Sequence, residues 1–312
     1  MDARERVRRT LAGEQVDRPP LCLWHHFRPG GSPAALAAAT ADFFGGLDLD
    51  LFKVMPDLPY PAPNGILETA EQWLALPLLS GRPGGPLGGM SEAVAIVRGQ
   101  CPDAVVLATV FSPLALALRF SGGASGLVRA AEQAPGAVRR GLGVLADNVA
   151  GTCEQCLAAG ADGIYFATAG AGDGLLSDDA YRVLGRPFDL QVLEACEPGW
   201  CNILHLHATA DLHWNWMADY PVHVYSWSDR RTGVPLSELA EALPDKVVMG
   251  GIDEVGAVVS GDMAALSAEI HDAVRQTRGR RLILAGGCSV PDDISTTHLR
   301  GARRLVSQLG EE

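Results

Sequence analysis

The stretch Asn202–Trp227, NILHLHATADLHWNWMADYPVHVYSW, decides the fold. It holds two short apolar runs, Asn202–His207 (NILHLH) and Val222–Trp227 (VHVYSW), separated by a loop and the helix-like stretch DLHWNWMADY. Each run is mostly apolar on both faces, as a strand of a parallel sheet covered on both sides must be.

The same unit recurs in both directions. Upstream lie Leu21–His26 (LCLWHH), Leu49–Met55 (LDLFKVM), Ala104–Phe111 (AVVLATVF) and Asp162–Ala167 (DGIYFA). Downstream lie Lys246–Ile252 (KVVMGGI) and Arg281–Ala285 (RLILA). Helical patterns fall between most of them, at Pro33–Phe44, Ser91–Arg98, Ala130–Ala159, Leu236–Leu243 and Met263–Thr277. A last one, Thr296–Leu309, has Ser295 placed as its N-cap. Eight such alternations in 312 residues predict an α/β fold, a single (β/α)8 TIM barrel over 1–312 with an N-terminal helical extension. A doubly wound open sheet would carry a glycine-rich phosphate turn after its first strand. Here that strand runs into HHFRPGG, without the G-x-G-x-x-G pattern.

Composition narrows the class of function. Hydrophobic residues make up 47% and charged residues 20%, which excludes a disordered chain. Lys and Arg total 25 against 37 Asp and Glu, a net charge of −12, so nucleic acid and anionic membrane surfaces are not expected partners. No apolar run reaches the roughly 18 residues of a membrane span. The N-terminal MDARERVRRTLAGEQVDRPP reads as a charged amphipathic helix and not a signal peptide. Seven cysteines, an odd number, do not form a secreted disulfide framework. A cytoplasmic protein acting on a small-molecule substrate is expected.

In a barrel the chemistry sits where strands end. Those ends offer His25 and His26, Lys53 with Asp57, Ser112, Tyr165 with Thr168, His205 and His207, Ser226 with Ser228 and Asp229, Asp253 with Glu254, and Cys288. His205 and His207, two apart on one strand, point to the same face. Cys288 follows the eighth strand after two glycines, so the three can converge as an N,N,S zinc site. The plainer reading is two hydrogen-bonded core histidines and a small buried cysteine. Of the adjacent His25 and His26, only one can face the interior.

The candidate catalytic groups are His25, His26, Asp57 and Tyr165. The candidate substrate-binding groups are Arg28, Lys53, Ser226 and Asp229. Asp253 and Glu254 read equally well as caps of the next helix, and Cys153 with Cys156 as packing on a helix face. His213 reads as a surface or packing residue, and His271 and His298 as solvated groups on amphipathic helices. Gly81–Gly89 (GRPGGPLGG) reads as a lid or a plain loop, and Trp214–Trp216 as facing either a ligand or a partner.

Four segments resemble the uroporphyrinogen decarboxylase superfamily. They are RERVRRTLAGEQVDRPPL at 4–21, ILHLHATADLHWNWMADYPVHVYSW at 203–227, VVMGGIDE at 247–254 and LILAGGCSVPDDISTTHLRGARRLV at 282–306. The resemblance implies a distorted TIM barrel with its cleft at the strand C-termini, and a homodimer. The decarboxylases of that superfamily hold a polycarboxylate tetrapyrrole, without a cofactor, through an R-Q-A-G-R-Y motif after the first strand. Here the place reads LWHHFRPGG, lacking the paired arginines that bidentate carboxylate binding needs. The site residues are more similar to those of the superfamily's zinc-dependent methyltransferases, whose H-x-C…C ligands match His205, His207 and Cys288, with His in the middle place. Some relatives add a glutamate where this chain has Ser228 beside Asp229. The resemblance therefore implies Zn2+, a thiol substrate, and a corrinoid, carried by a partner protein, as methyl donor. A metal-free decarboxylase and a non-catalytic tetrapyrrole- or corrinoid-binding barrel are the alternatives.

Overall fold

A computed structural model describes residues 1–79 and 85–310. Eight parallel strands form one sheet: β1 (Leu21–Cys22), β2 (Leu51–Val54), β3 (Val105–Phe111), β4 (Gly163–Thr168), β5 (Ile203–Leu206), β6 (Val224–Trp227), β7 (Val247–Ile252) and β8 (Leu282–Gly286). Their order is β1-β8-β7-β6-β5-β4-β3-β2, so consecutive strands are neighbours and β1 pairs with β8. That is the nearly closed (β/α)8 barrel expected of eight such units. Every strand except the tip of β3 is buried along its whole length, which is why the runs are apolar on both faces.

The seam between β1 and β2 is joined through Asp50. Its N–H donates to Leu21 O at 3.0 Å, and its carboxylate accepts the Leu21 N–H at 2.8 Å. The buried charge is balanced by Arg6 at 2.5 Å and Arg18 at 2.6 Å. Arg6 belongs to the N-terminal helix Ala3–Ala12, capped by Asp2 and ended by Gly13 in the left-handed conformation at φ 75°. The N-terminal extension is thus tied to the barrel by ion pairs. Arg4 and Arg98 hold buried Asp162 at the start of β4 in the same manner.

Two helical expectations change. The predicted Ala130–Ala159 helix is broken into Ala124–Gln133 and Pro135–Ala158, because Pro135 has no N–H to continue the ladder. The Trp214–Met217 stretch is a single 3₁₀ turn. A helix not read from the sequence, Pro113–Phe120, starts directly after β3 with Ser112 as its cap. The first strand is shorter than Leu21–His26: only Leu21 and Cys22 pair with β8.

Cys153 and Cys156 are buried in Pro135–Ala158, and all seven cysteines are free thiols. No helix among the described residues is long and apolar enough to cross a membrane. Of the proposed lid, residues 81–84 lie outside the described residues; Gly89 begins the helix Gly89–Gln100.

Candidate active site

The strands deliver side chains to the barrel mouth in pairs two residues apart, since alternate residues share a face. Lys53 and Met55 come from the end of β2, Thr109 and Phe111 from β3, Tyr165 and Ala167 from β4, and His205 and His207 from β5. With Trp24, His26, Arg119 and Cys288 they line a cavity of about 240 Å³.

His205, His207 and Cys288 converge there, their ligand atoms all within 4.8 Å of one another. Cys288 Sγ lies 3.8 Å from His207 Nδ1. Tetrahedral zinc, with bonds of about 2.1 Å to nitrogen and 2.3 Å to sulfur, sets its donors about 3.6 Å apart, so the three side chains fit such an ion. Gly287 allows the approach: a Cβ there would lie 2.3 Å from Ser228 Cα.

Beneath the cluster, buried Ser226 Oγ bonds both Tyr165 OH at 3.1 Å and His205 Nδ1 at 3.3 Å, which leaves His205 Nε2 for the cavity. Tyr165 stacks on His205 at 5.5 Å between ring centroids, and Trp24 meets both rings edge-on.

The local electrostatics follow from burial and from these contacts. Burial by itself raises the Cys288 thiol, but hydrogen bonds and charge from His205 and His207 outweigh it and bring it down to about 4. The hydrogen bond to Cys288 raises His207, whereas burial lowers His205. Deprotonated sulfur with two imidazoles is the ionisation state in which these residues bind metal.

Lys53 is buried with its ammonium 4.2 Å from the centre of the Tyr165 ring and 4.8 Å from that of Trp24. Burial lowers it to about 8. At the mouth, His26 Nδ1 donates to Asp57 Oδ1 at 2.6 Å, and the Phe27 N–H occupies Oδ2 at 2.5 Å. The Asp57 hydrogen bond raises His26 above the ordinary histidine value.

The structure does not bring the other expected residues to this cavity. His25 packs between Phe27 and Phe43, with ring centroids 4.8 and 4.6 Å away, and donates to the His26 carbonyl. Arg28 is 90% exposed beside Asp292. Asp229 is buried behind β7, accepting from Gly251 N at 2.8 Å. Glu254 is no plain surface cap: it is buried, and Ser228 donates to its Oε1 at 2.8 Å. His213 stacks on Trp216 at 4.6 Å, outside the cavity. Sequence reasoning missed Trp24, Thr109 and Arg119. The two-residue spacing of Thr109 and Phe111 at the end of β3 was the available signal for Thr109.

Residues 57–308 match the family described as Uroporphyrinogen decarboxylase (URO-D). No curated protein matches the chain. Among solved structures it is similar to a methyltransferase from Methanosarcina mazei, with a TM-score of 0.77 at 15% identity, covering 99% of each chain. It also matches a B12-independent methionine synthase from Shewanella sp. W3-18-1 in complex with selenomethionine, with a TM-score of 0.49 at 13% identity, over 71% of this chain and 65% of that one. At 15% identity the likeness to the Methanosarcina protein is one of fold. With eight strands closing on a mouth that gathers two histidines and a cysteine, and a family match over most of its length, the chain belongs to the uroporphyrinogen decarboxylase (URO-D) family.

Proposed function

We propose that the protein is a zinc-dependent transferase that prepares a thiol, or a similarly soft donor, for methylation at the C-terminal mouth of the barrel. The observation that carries this reading is the convergence of His205, His207 and Cys288. The likeness in fold to a methyltransferase supports it.

His205 Nε2, His207 Nδ1 and Cys288 Sγ would hold the ion. Bound there, zinc lowers the pKa of a thiol and keeps it as thiolate. Ser226 fixes the His205 ring, and the Trp24 and Tyr165 rings keep water from the substrate's flank. His26, held by Asp57, stands at the cavity edge and can exchange a proton with the substrate through its second ring nitrogen. With one thiolate among three protein donors, sulfur held at this centre is less electron-rich than at a two-thiolate centre. An activated methyl donor is therefore needed, and a corrinoid brought by a partner protein is the donor we propose.

A second reading, metal-free decarboxylation, draws on Lys53 and the His26–Asp57 pair, a cation and a proton donor on one apolar cavity.

Metal analysis of protein purified without added metal or an affinity tag decides between them. About one zinc per chain, lost in Cys288→Ser, is the expected result. No zinc in folded, reduced protein, and none taken up on titration, removes the first reading and leaves decarboxylation to be assayed.

A further inference from the structure

The cavity holds polar groups that the metal chemistry does not use. Lys53 is 3% exposed, and its ammonium meets the Met55 thioether, at 3.2 Å, and the faces of Trp24 and Tyr165. No carboxylate among the described residues lies within ion-pair distance of it. Thr109 is 2% exposed, and its hydroxyl has no hydrogen-bond partner. Arg119 is exposed at the same wall, with no hydrogen bond or ion pair among the described residues. A buried ammonium without an ion-pair partner and a buried hydroxyl without a hydrogen-bond partner are both costly, unless a ligand completes them.

A second cavity, of about 430 Å³, adjoins the first along Pro56, Thr109, Phe111, Leu116 and Arg119. Beyond that shared wall it is lined mainly by apolar groups, among them Leu58, Tyr60, Met90, Val110 and Val149. Thr109 and Arg119 stand at the junction of the two, while Lys53 and the His205–His207–Cys288 cluster lie in the first.

We propose that the first cavity, from Lys53 to this junction, holds a subsite for the carboxylate of an acid with an apolar arm. Lys53, Thr109 and Arg119 take the oxyanion, the arm lies in the second cavity, and the reacting end reaches His205, His207 and Cys288. This deepens the function proposed above by naming its substrate class, and rests on that reading only for where the reacting end lies. A carboxylate can accept from an ammonium, a hydroxyl and a guanidinium, and the three line one cavity, Lys53 as a point charge and Arg119 as a planar fork. Burial lowers Lys53 to about 8 even though the charges of Cys288 and Asp57 act to raise it, so a further anion at its ammonium is favoured. An alcohol or amide of the same shape leaves that cation uncompensated and binds weakly.

Octanoate is the probe, titrated calorimetrically into chelator-treated protein so that binding to a metal cannot imitate the subsite. Octanoate should bind at least tenfold more tightly than octan-1-ol or octanamide. Lys53→Met should abolish that preference and Arg119→Gln should reduce it several-fold. Met90→Trp, which fills the second cavity, should weaken octanoate while leaving butyrate unaffected. Equal binding of acid, alcohol and amide by the unaltered protein overturns the proposal, and so does an unchanged preference in Arg119→Gln, whose exposed site cannot unfold the chain. Neither comparison depends on Lys53→Met folding. Zinc uptake, measured separately, reports on the proposed function, so the two can fail independently.

Discussion

Asp189 offers the sharpest test of the energetics behind the barrel wall. It is fully buried, and its Oδ2 receives hydroxyls from Tyr181 at 2.8 Å, Tyr220 at 3.1 Å and Thr168 at 3.4 Å. Its Oδ1 has no partner, and no cation forms an ion pair with it among the described residues. Burial therefore wins over three donors and raises its pKa from 3.8 to about 7. The folded state holds its proton more tightly than the unfolded state. That contribution to stability is fully present below about pH 4 and is lost as pH rises through about 7. Roughly three pK units at about 1.4 kcal/mol each set a total near 4 kcal/mol, of which about 2–3 kcal/mol falls between pH 5 and 8. Asp189→Asn cannot ionise, yet its amide oxygen still accepts the two tyrosine hydroxyls. Urea unfolding followed by tryptophan fluorescence at several pH values should show the variant gaining on the parent by that amount between pH 5 and 8. Every other titration cancels in the difference. Parallel curves, within about 0.5 kcal/mol, would show that Asp189 is ionised in the folded protein throughout and that burial does not dominate here.

Two further outcomes are expected. Asp50→Asn leaves the Arg6 and Arg18 guanidinium groups without their shared buried carboxylate and weakens the β1–β2 seam. The loss should be about 3–5 kcal/mol in urea unfolding, and less than about 1 kcal/mol would mean the network is replaceable. Asp57→Asn removes the carboxylate that raises His26, so the His26 pKa should fall and less of it be protonated at neutral pH. Histidine proton resonances followed against pH would reveal this, and an unmoved His26 would contradict the pairing.

The parts of the site that were legible in the sequence are those set by local geometry. His205 and His207 share a face because side chains alternate along any strand, and the two glycines before Cys288 announce a close approach. The helix Pro113–Phe120 escaped notice because only Ser112 and Pro113, a cap and a first-turn proline, separate the apolar AVVLATVF from the nearly all-apolar LALALRF. An apolar run has no period from which to separate strand from helix. Pro135 was visible, but its break is hidden in a composition otherwise rich in alanine. His25 and His26 could not be told apart, since which neighbour turns inward depends on Phe27 and Phe43 closing around one of them.

By itself, then, the sequence determined eight buried strands, their order of use and the chemical types at their ends, because strand periodicity and burial act over a few residues. Tertiary structure alone decided which of those ends meet. Cys288 reaches His207, 81 positions away in the chain, only because the sheet closes on itself. Lys53 is left without an ion pair among the described residues because closure buries it against Trp24 and Tyr165. Charge pairing and convergence are properties of distances between strands, and those exist only once the barrel has formed.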